Sequence, residues 1–123
     1  MKTDLETSKT PELPIVGKSI FRLPSEVQFG GVQKFVIAKS DAGLHFASIP
    51  GDAHPILLSN LEKEVGNKVE SLGGAFLGFF EDEIMLDTSS KSLNIGPVKI
   101  PWSEVQKIVQ NVVGEKYKVI LSE

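Results

Sequence analysis

The chain has no cysteine, which removes disulfide frameworks, thiolate metal sites and cysteine nucleophiles at once. It has a single arginine, Arg22, and its lysines are scattered rather than gathered on one stretch. With a formal net charge of −3, it lacks the concentrated basic surface that nucleic-acid phosphates require, so nucleic acid is not an expected partner. No apolar run approaches the ~18–20 residues of a membrane span, and no membrane association is expected. The opening stretch MKTDLETSKTPELP has no apolar signal-peptide core. These absences point to a cytoplasmic location. The length of 123 residues suits one domain, expected to be monomeric.

What remains is an ordinary globular composition, 41% apolar and 24% charged, sufficient for a core without covalent staples. Residues 1–14 read as a flexible leader, because Pro11 and Pro14 oppose regular structure and little there can be buried. Residues 15–123 read as one α+β domain. A first strand is expected between Phe21 and Phe29, with Pro24 placing it at an edge. The stretch from Val32 to Ala38 puts Phe35 and Ile37 on one face and Val32, Val36 and Ala38 on the other, so both faces should be covered. Ser40-Asp41-Ala42-Gly43 is a turn, and Leu44 to Ile49 is the returning strand.

Pro55 to Val65 predicts a helix with Leu57, Leu61 and Val65 on one stripe and Gly66 or Asn67 as its stop. Lys68 to Phe80 predicts a strand with a bulge or close backbone approach at Gly73-Gly74. A turn at Glu81–Glu83 leads into another strand, Ile84 to Asp87. Ser103 and Gln106 have capping-box spacing, ahead of a stripe formed by Val105, Ile108, Val109 and Val112. Tyr117 to Leu121 closes the order β-β-β-α-β-β-α-β. The expected architecture is a mixed sheet of about six strands with two helices packed on it.

Of the two histidines, His54 stands at the start of the first helix, where the helix dipole favours a neutral, proton-accepting imidazole. The same helix end attracts anions, so His54 is a candidate base beside a phosphate site. His45 reads as a surface or half-buried strand histidine, without the spacing of a metal ligand set. Lys34, on an otherwise apolar strand face, is a candidate anion ligand. The run Ser89 to Pro97 offers hydroxyls, an amide and backbone N–H groups that could form a phosphate nest or an irregular edge.

Taken in order, Leu23-Pro24, the strand Gly31 to Ile37 with Lys34, His54 before its helix, Leu72-Gly73-Gly74, and Ser92-Leu93-Asn94-Ile95-Gly96-Pro97 resemble the Janus/Ocnus family, which includes protein-histidine phosphatases. The resemblance implies a Janus/Ocnus-like fold and a metal-independent phosphatase with no cofactor. Its partner would be a phosphohistidine-containing protein or a small phosphoramidate. It also implies roles: His54 as general base, with Lys34, Ser92, Leu93 and Asn94 binding the phosphoryl group. The chain departs from the family pattern at Ala53, Ala75 and Phe76, the last standing where the family carries arginine. That departure motivates an alternative, a non-catalytic anion- or phosphoprotein-binding domain of the same fold.

Overall fold

The computed structural model describes residues 16–26 and 30–122. Within them the elements are β1 (Ile20–Phe21), β2 (Val32–Ser40), β3 (Gly43–Ser48), α1 (His54–Val65), β4 (Glu70–Phe80), β5 (Glu83–Asp87), α2 (Trp102–Val113) and β6 (Lys118–Leu121). The element order and the α+β class agree with the sequence pattern. Of the first strand expected between Phe21 and Phe29, only Phe21 is in a strand and residues 22–26 are not, while residues 27–29 and the leader expected at 1–14 lie outside the described residues.

The strands form one mixed sheet of six in the order β1-β3-β2-β4-β5-β6. The three central pairings are antiparallel, while β1 joins β3 and β6 joins β5 in parallel. β1 ends before Pro24 and lies at the sheet edge, where a missing N–H disrupts no ladder.

Alternation along β2 divides the core in two. Phe35 and Ile37 join Phe46, Leu77, Phe79, Ile84 and Leu86 against the Val105, Ile108 and Val109 stripe of α2. Aromatic rings concentrate there, with Phe35 5.7 Å from Phe46 and edge-on to Trp102 at 6.2 Å, centroid to centroid. On the other face Val36, Ala38, Ala47 and Ile49 pack against Leu57 and Leu61 of α1. Each of those leucines is fully buried and contributes roughly 1.5–3 kcal/mol of transfer free energy. Val32 shares this face but is 68% exposed, because α1 does not reach its end of β2. The face near Val32 is therefore open, contrary to the coverage expected from alternation.

Both helix starts differ from expectation. α2 begins at Trp102, with the Pro101 carbonyl accepting from the N–H groups of Glu104 and Val105. Ser103 therefore lies inside the first turn, and the Gln106 amide donates to the Val119 carbonyl instead of closing a capping box. In α1 the N-cap is Ala53, so His54 rather than Pro55 is the first helical residue. Gly66 ends that helix in the left-handed region, at φ 81°.

The bulge expected in β4 is present. The register with β2 shifts where Val36 faces Gly74 and Ala38 faces Ser71, giving β4 one extra residue at Leu72-Gly73. β5 pairs only with residues 76–80 of β4, so the earlier part of that edge needs other partners. The 90–99 segment supplies them: Ser92 N–H donates to Gly74 O, Gly74 N–H to Gly96 O, and Lys99 N–H to Leu72 O. Gly73, at φ 105°, is where this segment touches the strand, and a Cβ there would collide with the Pro97 carbonyl. Gly73→Ala should therefore cost about 3 kcal/mol or more, lowering Tm on the order of 10 °C. Gly51→Ala, at a positive-φ glycine facing open space, should cost only about 1 kcal/mol. Thermal denaturation of the two variants checks the contrast, and equal losses would refute the close-approach account.

Candidate functional site

Four of the residues singled out in the sequence meet on the open half of the α1 face. β2 carries Lys34 there, and α1 delivers His54 at its first turn. The loop between β5 and α2 brings Leu93 and Asn94. These four side chains line one cavity of about 380 Å³, together with Phe76, Ser90 and Lys91.

His54 does not project from the helix end as a solvated cap. It is only 2% exposed, and its Nε2–H donates to the Ala75 carbonyl at 3.0 Å. A carbonyl only accepts, so the neutral ring carries its proton on Nε2 and keeps the lone pair on Nδ1. The ring fits because position 74 is glycine: a Cβ there would stand 2.7 Å from His54 Cδ2 and 2.9 Å from the Phe35 carbonyl oxygen. Phe76 closes another side, edge-on to the imidazole at 5.5 Å between centroids.

Burial is the main cause that pushes the His54 pKa below its ordinary 6.5. The Ala75 hydrogen bond works against this shift, and the Lys34 ammonium adds to it. The neutrality expected from the helix dipole is thus produced chiefly by desolvation. The unfolded chain takes up this proton first as pH falls. The stability that His54 contributes is complete above about pH 6.5 and declines below it.

Lys34 reaches over the Phe76 ring, its Nζ 5.7 Å from the centroid. It also lines a second recess of about 200 Å³ with Gln33, Gly51, Asp52 and Phe76. Lys91, exposed on the loop, is a second cation at the main cavity. Sequence reasoning passed over Lys91, since nothing in an irregular stretch tells which residues turn inward.

Ser92 departs from the expected arrangement. It is buried, and its Oγ accepts from the Asn94 N–H at 3.2 Å and the Ile95 N–H at 3.1 Å. It holds the loop in shape behind the cavity wall, where Leu93 and Asn94 stand. Ser90 has a similar framing task, donating to the Asp87 carbonyl and accepting from the Phe76 N–H.

His45 lies elsewhere and is fully buried, not the surface or half-buried residue expected. Its Nδ1 donates to the Lys18 carbonyl and its Nε2 accepts from the Ser40 hydroxyl, both at 2.7 Å. Those bonds tie the approach to β1 onto the β2–β3 hairpin. Among the described residues no group of three or more histidine, aspartate or glutamate side chains is placed to hold a metal ion. A larger recess of about 640 Å³ at the far end of β2, around Lys39, Asn67 and Glu70, contains an exposed ion pair but no buried ionisable group. No described helix is long and apolar enough to cross a membrane.

NMR titration of the imidazole should give a His54 midpoint below 6.5, and Lys34→Met should raise it only in part, since burial persists. A wild-type midpoint at or above 6.5 would contradict the proposed environment. No protein-family model matches this chain, and no curated protein does, so a functional reading rests on the geometry of the site itself.

Proposed function

We propose that the protein is a metal-independent phosphohistidine phosphatase, hydrolysing the P–N bond of phosphohistidine in a protein or in a small phosphoramidate. The supporting observation is that His54, Lys34, Lys91 and the 93–94 loop share one cavity large enough for a phosphoryl group. His54 supplies an acceptor at Nδ1, with its Nε2 proton anchored on the Ala75 carbonyl. Lowering of its pKa keeps that acceptor free at neutral pH.

In this reading a water molecule attacks phosphorus and gives a proton to His54 Nδ1. The P–N bond breaks, its electron pair returns to that ring nitrogen of the substrate, and the ring, protonated on its other nitrogen, leaves as neutral imidazole. Lys34 and Lys91 balance the charge on the phosphoryl oxygens. Lys91 takes over the charge, though not the planar two-pronged geometry, of the guanidinium that Phe76 displaces from the family pattern. The enzyme would act as a cytoplasmic monomer and need no cofactor.

One observation favours a second reading, a non-catalytic domain that binds anions or phosphoproteins. The Asn94 N–H assigned by resemblance to the phosphoryl group is engaged by Ser92 Oγ. The outcome turns on turnover. Wild-type protein should release phosphate from phosphohistidine in the presence of chelator, with an acid limb below pH 6.5. His54→Ala should lower kcat by roughly 10²–10⁴-fold, and Lys34→Ala should lower kcat/KM by about 10²-fold without unfolding the domain. Unchanged activity in His54→Ala would overturn the mechanism, whereas phosphate binding without turnover would establish the second reading.

A further inference from the structure

The strand ladders set three side chains in a row across the open face. Lys34 on β2 pairs directly with Phe76 on β4, and Phe76 pairs directly with Asp87 on β5. Directly paired residues project to the same side of a sheet. A cation, an aromatic ring and a carboxylate therefore stand side by side over two inter-strand spacings, about 10 Å.

Phe76 is the shared wall. It lines the 380 Å³ cavity with His54 and Lys34, and also a 150 Å³ groove with Val32, Gly78, Met85 and Asp87. The half-buried ring thus separates a cationic compartment from an apolar one that ends in a carboxylate. Asp87 is oriented by its neighbour, its Oδ1 accepting from the Ser89 N–H at 3.1 Å and the Ser89 hydroxyl at 2.7 Å.

We propose that the Lys34–Phe76–Asp87 row reads the phosphorylated imidazole itself, with the phosphoryl group toward Lys34, the ring against Phe76 and the distal ring N–H donating to Asp87. This rests on the phosphatase reading and adds to it a leaving-group preference. The three parts of the ligand, an anion, an aromatic ring and a cationic N–H donor, complement the cation, ring and carboxylate of the row. A carboxylate at the far end favours the form of phosphohistidine protonated on the distal nitrogen. When water attacks that form, the P–N electron pair returns to the proximal nitrogen, the distal nitrogen keeps its proton, and neutral imidazole departs. The proton from water goes to His54. Phospholysine has neither a ring for Phe76 nor a distal N–H for Asp87, so the row discriminates against it.

The test compares kcat/KM for phosphohistidine and for phospholysine in wild type, Asp87→Asn and Phe76→Leu. Asparagine keeps an oxygen for the Ser89 bonds but removes the charge and turns the second acceptor oxygen into an N–H donor. The phosphohistidine-to-phospholysine ratio should favour phosphohistidine in wild type and fall about tenfold in each variant. A ratio unchanged in both variants would overturn the row, even with the phosphatase reading intact. Should wild type turn over neither substrate, the phosphatase reading fails. The row is then judged by titrating imidazole at about pH 6, where the ring is mostly protonated. Saturable shifts at Phe76 and Asp87 that disappear in Asp87→Asn support the row, and their absence in wild type overturns it.

Discussion

The contact on which the site depends is the approach of the 92–98 backbone to the paired glycines of β4. Gly73 lets the Pro97 carbonyl lie where a side chain would be, and Gly74 leaves room for the His54 ring and for Ile95. Two parts of the chain far apart in sequence therefore converge on a strand position with no side chain. The hydrogen bonds from this segment also complete the edge of β4 where β5 has ended, so the loop is held by ladder-like bonds. A methyl group at either glycine would separate the loop or the histidine from the strand, and the cavity would lose a wall.

Burial of His54 follows from the same geometry. A ring turned under the helix against a backbone carbonyl loses water, and the loss of hydration favours its neutral form more than the nearby charge does. Anchoring Nε2 leaves only Nδ1 to accept a proton, so the fold selects both the charge state and the tautomer. The half-covered sheet face has a complementary effect. Because α1 stops short of Val32, the even positions of β2 change along the strand from core residues, Val36 and Ala38, to a cavity residue, Lys34.

Much of the fold was legible because period-two and helical patterns report directly on which residues need cover. The β2 alternation, the Val105–Ile108–Val109 stripe and the glycine bulge hold, as does the first stripe at Leu57 and Leu61, though Val65 at its end is only half-buried. Local capping rules were less informative. Ser103 has the right spacing but sits two positions past the N-cap, because the Pro101 carbonyl already starts the helix. Val32 looked like a core residue since alternation tells which face a residue is on, not how far the covering helix extends. His45 looked like a surface residue because its partners, Ser40 and the Lys18 carbonyl, are a turn residue and a backbone atom from another strand's approach.

His54, Lys34 and the 92–94 stretch could be nominated from residue type, position and resemblance, each by a separate clue. Their convergence could not, since it requires the β2–β4 register and the loop crossing at Gly73. The row that joins Phe76 to Lys34 and Asp87 is likewise a product of strand register, which pairs residues 42 and 11 positions apart. The sequence by itself determined the elements, their order and the chemistry of the candidate side chains, because those follow from local periodicity and residue type. Only the tertiary structure decided which of them share one cavity, that Ser92 faces the loop interior, and that His54 is neutral chiefly through burial. Those outcomes depend on contacts between residues that no local pattern connects.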